Sequence, residues 1–367
     1  MTIGIVGAGQ LGQMLALAGY PLGLDFLFFD HSVETPAGRI APLLAGEFHD
    51  QTLLAELARR SDVISFDWEN ISVEALRSAA RGTRIAPPLK ALSVAQDRLA
   101  EKRCFQRLGI PTTRFAPVDS RAQLARALQR VGVPGVLKTR RFGYDGKGQY
   151  VLRSHADLDP AWELLGSAPL LYEEFVPFEY EVSIIGVRAR SGAIAVYPLN
   201  RNYHEDGILR LTLAPWAAPR LARAARQSLN KLLEDFHYVG VLTIEFFVHR
   251  GRLVANEMAP RVHNSGHWTI EGAVTSQFEN HVRAIAGLPL GDSSPRGHSA
   301  MINLIGSMPD ARPFLAQPGV HWHDYGKEPR HGRKLGHCTI NESSAARRTL
   351  RVKQLLPQLY PLLALRP

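Results

Sequence analysis

The sequence predicts a composite of α/β and α+β architecture: a parallel-sheet region first, then units built on antiparallel strands. Three observations carry this expectation. Residues 1 to about 90 alternate short apolar runs with amphipathic ones, the pattern of strands and helices wound into a parallel sheet. Residues 111–175 set a glycine-rich loop between two strand-like runs, and residues 180–290 hold longer alternating strands around one long helix.

In chain order, "IGIVGAG" reads as a strand entering a glycine turn, "QLGQMLALAGYPLG" as a helix and "DFLFFD" as the next strand. "TLLAELARR", "DVISFDWE" and "SVEALRSAA" repeat the helix–strand–helix theme. Pro87-Pro88 reads as a linker, and the helix after it is expected to run to Gly109. A smaller unit follows: helix "SRAQLARALQRV", strand "GVLKTR", loop "RFGYDGKGQY", a strand, helix "LDPAWELLG" and strand "LLYEEFV". The strands "YEVSIIGVRA", "AIAVYPLN", "VGVLTIEFFVHR" and "RLVANEMAP" suggest an antiparallel sheet with one covered face. The expected divisions are 1–92, 93–175, 176–295 and a β-rich extension, 296–367.

Hydrophobic residues make up 45% and charged residues 21%, the balance of a globular chain rather than a disordered one. No apolar run approaches the ~20 residues of a membrane span. "MTIGIVGAG" lacks a basic region and reads as strand one rather than a signal peptide, so a cytoplasmic protein is expected. Two cysteines, Cys104 and Cys338, cannot build a disulfide framework or a four-thiolate zinc site. Cys104 is expected to be a structural thiol. The net charge of +9 is spread over scattered arginines with no aromatic-interleaved stripe; it suits anionic small substrates as well as nucleic acid.

Four motifs carry chemistry. Gly7, Gly9 and Gly12 with Asp30 beyond them spell the opening of a dinucleotide site. Lys138 leads into a loop with Gly143, Gly146, Gly148 and Lys147, suited to a flap whose amides and lysines meet phosphate; no helix follows it, so it is not a Walker loop. "YEEF" at 172–175, with Val176 and Glu181, could serve an adenine and a ribose. Glu245 and Glu257 each sit within an apolar strand on either side of the turn "HRG". Counting back from that turn puts them nearly opposite on one face. Two such charges need a cation, and hard oxygens favour Mg²⁺ on nucleotide phosphates. Asn256, in a regular strand, would face the other way. Then Arg261, His263, Asn264 and Ser265 cluster donors suited to a small oxyanion. His263 and His267 lack a third ligand at a sensible spacing, which argues against zinc.

In this order the motifs resemble the ATP-grasp superfamily and, within it, the N5-carboxyaminoimidazole ribonucleotide synthetases of purine biosynthesis. The resemblance spans nearly the whole chain, through "GAGQLGQM", "QDRLAEKRCFQRLGIPT", "LKTRRFGYDGKGQ", "EEFVPFEYEVSII", "YPLNRNYHEDGIL", "NEMAPRVHNSGHWTIEGAV" and "GRKLGH". It implies an ATP-grasp fold with a Rossmann-like N-terminal domain, a small flap-bearing subdomain and a larger antiparallel-sheet subdomain. By this resemblance Arg98, Lys138, Gly143, Tyr144, Asp145, Gly146, Lys147, Gly148, Gln149, Glu173, Glu174, Phe175, Val176, Glu181, His204, Asn256 and Glu257 would bind ATP. Glu245 and Glu257 would hold Mg²⁺, with Mn²⁺ as a substitute. Arg261, His263 and Asn264 would hold bicarbonate, with Lys147 and Tyr144 also catalytic. Gln10, Leu11, Glu69, Lys327, Arg330, Arg333 and Lys334 would surround the ribonucleotide, so that the glycine turn receives a phosphoribosyl end rather than a dinucleotide. A homodimer acting on small molecules, without nucleic-acid or membrane partners, is implied too. Four departures stand out: Gly7-Ala8-Gly9 where the family usually has three glycines, Phe142 where the flap usually has glycine, Val262 where Pro is usual, and Asp67 where Glu is common. An NAD-dependent oxidoreductase, a formate-using glycinamide ribonucleotide ligase and a non-enzymatic nucleotide-binding regulator remain as alternatives.

Overall fold

The computed structural model describes residues 1–143 and 147–360; Tyr144, Asp145 and Gly146, expected at the nucleotide, lie outside them. The N-terminal sheet contains β1 (Thr2–Val6), β2 (Asp25–Asp30), β3 (Leu43–Ala45), β4 (Val63–Phe66) and β5 (Arg84–Ile85). They run parallel in the order β3-β2-β1-β4-β5. The helices are α1 (Gln10–Gly19), α2 (Gln51–Arg59) and α3 (Val73–Ala79). Asp50 and Ser72 start the last two by accepting first-turn N–H groups. Chain direction across the sheet reverses between β1 and β4, so the loops leaving these two strands lie side by side. Such a switch point is where open α/β sheets receive ligands.

The single helix expected from the linker to Gly109 is two, α4 (Leu89–Ala95) and α5 (Arg98–Arg107). Asp97 causes the break. Its side chain accepts the N–H groups of Leu99 and Ala100 as an N-cap, and Arg140 holds it from outside at 2.5 Å.

The small unit comprises β6 (Phe115–Val118), α6 (Arg121–Val131), β7 (Gly135–Thr139), β8 (Gln149–Leu152), α7 (Leu158–Leu165) and β9 (Leu170–Glu174). Its antiparallel sheet runs β6-β9-β7-β8. Leu124, Leu128, Leu137, Leu152 and Tyr172 form its core.

The large sheet holds β10 (Tyr180–Arg188), β11 (Ile194–Val196), β12 (Asn200–Glu205), β13 (Ile208–Ala214), β14 (Gly240–His249) and β15 (Arg252–Ala259), with α8 (Pro219–Asp235) after β13. Downstream come α9 (Thr269–Gly272), α10 (Gln277–Ala286), β16 (His298–Ile305), α11 (Arg312–Leu315), β17 (Val320–Asp324), β18 (Lys334–Glu342) and α12 (Ala345–Leu359). The last three strands extend the same sheet, in the order β15-β14-β10-β12-β13-β16-β18-β17. The expectation of one covered face fails at its centre. Ile184, Leu242 and Ile244 pack in the cluster of α8 residues Leu229 and Leu232, whereas Ile185, Val187 and Val241 join α10 residues Phe278, Val282 and Ile285. Alternate residues of one strand point to opposite faces, so helices cover both. Both cysteines are buried free thiols.

One buried contact ties the first sheet to the large one. The N–H of Val241 donates to His281 Nδ1 at 3.1 Å. That leaves the proton on Nε2, which donates to Ser65 Oγ at 3.2 Å. Burial pushes His281 down to about 3, so it acts as a neutral clamp. Among the described residues no helix is long and apolar enough to cross a membrane.

Candidate active site

The strand pair β14–β15 sets Glu245 directly across from Glu257. The register slips immediately afterwards, with Phe246 pairing Ala255, so Asn256 is the extra residue of a β-bulge. The regular strand assumed for Asn256 is therefore not present; its Oδ1 is buried and has no protein partner among the described residues. Burial pushes Glu245 up to about 7, with Glu257 adding repulsion against relief from His204. Burial acts on Glu257 in the same sense, but Arg98 and Lys138 hold it net below its ordinary range. Two facing carboxylates beside an orphaned amide oxygen are a donor set that fits a hard divalent cation.

Arg98 joins this pair to the flap. Nη1 donates to Glu257 Oε2 at 3.1 Å and Nη2 to the carbonyl of Gly143 at 3.3 Å. At the far side of the loop Gly148 has φ +69°, and a Cβ there would lie 2.6 Å from Thr139 Oγ1. The Thr139 N–H donates to the Gly148 carbonyl at 2.8 Å, and Gln149 pairs with Lys138 across the hairpin. Lys147 is at the turn, and Phe142 is 69% exposed with φ +63°.

Lys138 reaches Glu173 Oε1 at 3.2 Å, while Lys102 reaches Oε2 at 3.0 Å. Thr113 donates its hydroxyl to the same carboxylate at 2.9 Å. Glu173 is thus engaged by protein groups. Arg114 grips Glu174 with two bonds of 2.9 and 3.0 Å. The N–H groups of Glu174 and Phe175 donate to the carbonyls of Arg114 and Pro134. Of this linker, the Val176 N–H has no protein acceptor among the described residues. His204 Nδ1 lies 2.7 Å from Glu181 Oε2. Burial lowers His204, but Glu181 overcomes it and lifts the ring to about 9.

The segment 261–267 closes the opposite wall. Ser265 N–H donates to His263 Nδ1 at 3.3 Å, which places the ring proton on Nε2, 3.3 Å from Glu245 Oε1. Burial, then Arg261, keeps His263 well below its ordinary value and neutral. The Gln277 side chain accepts the His263 N–H at 3.0 Å and donates to its carbonyl at 2.6 Å. Ser265 Oγ meets Ser183 Oγ at 2.8 Å. Both side-chain polar atoms of Asn264 are buried without protein partners among the described residues. His267 Nδ1 lies 3.2 Å from Tyr325 Oη, so the two histidines serve different partners.

Arg261 Nε lies 2.7 Å from Glu69 Oε1. The residues expected for bicarbonate and for the ribonucleotide therefore adjoin. From the tail, Lys327 donates to Gln10 Oε1. Burial, followed by Arg333, lowers Lys327 to about 8. The charge of Lys334 is felt at Glu245 and His263. Arg333 donates to the Glu328 carbonyl at 3.2 Å. Arg330 is exposed, and the described residues show no side-chain contact from it to this cleft. The N–H groups of Gln10 and Leu11 have no protein acceptor among the described residues.

Two site neighbours escaped sequence reasoning. Lys102 is 1% and Glu101 2% exposed, and Glu101 accepts the N–H of Met258, next to Glu257, at 2.6 Å. The available signal was position: Lys102 lies three residues from both Leu99 and Phe105, on the apolar stripe of α5.

This arrangement of fold and site defines the ATP-grasp class. A family described as the ATP-grasp domain matches residues 103–278. A ribonucleotide synthetase preATP-grasp domain matches residues 1–96, and a phosphoribosylaminoimidazole carboxylase C-terminal domain residues 299–350. An N5-carboxyaminoimidazole ribonucleotide synthase of Pseudomonas aeruginosa is 46% identical over 97% of this chain and 98% of its own length. The crystal structure of N5-carboxyaminoimidazole ribonucleotide synthetase from Thermus thermophilus superimposes with a TM-score of 0.95 at 49% identity, covering 99% of this chain and 100% of that one. An Aspergillus clavatus N5-carboxyaminoimidazole synthase, solved with ADP and 5-aminoimidazole ribonucleotide, gives 0.90 at 28% identity over 98% of each chain. The chain belongs to the N5-carboxyaminoimidazole ribonucleotide synthase family.

Proposed function

We propose that this chain is an ATP-grasp carbon–nitrogen ligase that carboxylates 5-aminoimidazole ribonucleotide with bicarbonate in purine biosynthesis, releasing ADP and phosphate. The observation that carries the reading is the facing pair Glu245–Glu257, linked through Arg98 to the flap and through His263 to the 261–267 wall. ATP would lie between the small and large sheets. Lys138, Lys147, Gly143, Gly148 and Gln149 would meet its phosphates, Val176 its adenine, and Glu181 with His204 its ribose. Tyr144, Asp145 and Gly146 join the flap by family resemblance.

Glu245, Glu257 and Asn256 would hold Mg²⁺, which supplies charge neutralisation on the phosphoryl oxygens. Arg261 and Asn264 would orient bicarbonate so that one oxygen attacks the γ-phosphorus, expelling ADP and forming carboxyphosphate. Neutral His263, its Nε2 3.3 Å from Glu245 Oε1, would fix the wall against which the anion rests. The exocyclic amine of the ribonucleotide then attacks the carboxyl carbon. The C–O bond to phosphate breaks, the amine loses a proton, and the carbamate forms. Carboxyphosphate hydrolyses readily, so the flap must keep water out. Glu69, paired with Arg261, would sit between the two substrates, while Gln10, Leu11, Lys327, Arg333 and Lys334 take the phosphoribosyl end. The division into 1–92, 93–175, 176–295 and 296–367, a homodimer and a cytoplasmic location complete the proposal.

The test is phosphate release in the presence of Mg-ATP. Release that needs both bicarbonate and 5-aminoimidazole ribonucleotide supports the reading; dependence on formate, or thermal stabilisation by NAD but not Mg-ATP, refutes it.

A further inference from the structure

The opening glycine turn has the shape of a pyrophosphate cradle, yet a side chain of the protein already fills it. Asp67, from the loop after β4, is 7% exposed. Its Oδ2 accepts the N–H of Gly9 at 3.0 Å and of Gly12 at 2.9 Å. On the other flank Asp30 accepts the N–H of Ala8 at 2.7 Å and of Ser32 at 3.3 Å. Gly7 is the glycine that Asp67 requires: a Cβ there would lie 1.7 Å from its Oδ1. One on Gly12 would meet Phe28 at 2.8 Å before Asp67 Oδ2 at 3.1 Å, and one on Gly9 would make only ordinary contact with Oδ2 at 3.4 Å. In a dinucleotide site such glycines admit the ligand's pyrophosphate, and the acid after the second strand meets a ribose. Here the glycines admit a carboxylate, and that acid is spent on backbone amides.

We propose that Asp67, backed by Asp30, is a specificity-determining residue: its carboxylate stands where a second phosphate group would bind and restricts the turn to ligands bearing one. The inference deepens the functional reading above, on which it rests for a monophosphate at this turn. A pyrophosphate would find the amides of Ala8, Gly9 and Gly12 taken and a like charge against it, a repulsive element of the kind specificity requires. A monophosphate can use the Gln10 and Leu11 amides with Lys327 alongside. The charged groups facing Asp67 are Asp30, Arg261 and Lys327; the two cations leave a single phosphate welcome.

The experiment compares inorganic pyrophosphate with inorganic phosphate as inhibitors competitive with 5-aminoimidazole ribonucleotide at saturating ATP. In the wild type pyrophosphate should inhibit at least about tenfold more weakly than phosphate, and equal constants would overturn the proposal. Asp67→Ala frees the amides and the space, and should improve pyrophosphate relative to phosphate by about tenfold. Asp67→Asn keeps the acceptor for Gly9 and Gly12 but removes the charge, and should improve the ratio by about threefold. A purely structural Asp67 would move both constants together. An unchanged ratio in either variant that folds overturns the proposal. Absence of ribonucleotide-dependent turnover in the wild type would instead sink the functional reading. The same ratio, read by titration calorimetry with ADP saturating the nucleotide site, then still decides the inference.

Discussion

Glu173→Gln probes the buried charge cluster that positions Lys138. The carboxylate is 2% exposed and lies 3.0 Å from Lys102 and 3.2 Å from Lys138. Glutamine removes the carboxylate in direct contact with both Lys102 and Lys138, leaving them only the charge of Glu257 outside ion-pair contact, and turns an N–H donor toward one of them. Removing one member of a buried ion pair costs about 3–5 kcal/mol. Burial alone would raise Glu173, but Lys102 and Lys138 hold it well below the carboxylate range. A depressed acid contributes stability above its unfolded value of 4.5 and loses it as pH falls further. The difference between wild type and variant should therefore be full at pH 7.5 and shrink at about pH 4. Urea unfolding followed by tryptophan fluorescence at both pH values measures it. Lys138, already lowered by burial, loses the neighbour that favours its charged form, so KM for ATP should rise by about tenfold. A loss below about 1 kcal/mol at pH 7.5, or an equal loss at both pH values, would refute the argument.

Other perturbations follow from the same geometry. Glu257→Gln should lower turnover by at least about a hundredfold while sparing ribonucleotide affinity, checked by titration calorimetry beside the phosphate-release assay. Burial pushes Glu101 up to about 8 from an unfolded value of 4.5. Wild-type stability should accordingly decline as pH rises between those values. Glu101→Gln should abolish that decline, gaining up to about 4 kcal/mol at pH 9 and little at pH 4.5; parallel melts at the two pH values decide. Phe142 holds φ +63°, a conformation that costs a bulky residue about 1–2 kcal/mol. Phe142→Gly should relieve that strain and loosen the loop, accelerating proteolysis within 140–148 and shifting kcat without changing which substrates are accepted. A slower cleavage would count against it.

Periodicity and turn chemistry were enough to place most strands and helices, because these depend on near neighbours in the chain. Counting from "HRG" as a three-residue turn put the two glutamates nearly opposite, but the turn is only Arg250-Gly251, with His249 paired to Arg252. Unbroken register would have set Glu245 against Asn256; the bulge restores the facing pair. The bulge that sets Asn256 apart was not visible, because a slip of one residue leaves no local signal in composition. The break at Asp97 was missed for a related reason: an acid ahead of a helical run can cap a helix or lie inside one, and here it caps, with Arg140, one residue past β7, bonded to it from outside.

What the amino-acid order determined by itself was the inventory and its local setting: a glycine turn, a lysine-bearing loop, two acids in apolar strands, a donor-rich segment after them. What tertiary structure alone decided was who meets whom. Asp67 lies far along the chain from Gly9 and Gly12, yet neighbouring parallel strands bring its loop beneath them. Lys102 and Glu173, on a helix and a distant strand, neutralise one another. The physical reason is that a charge tolerates burial only beside a partner. Packing of whole sheets and helices, rather than spacing along the chain, supplies that partner.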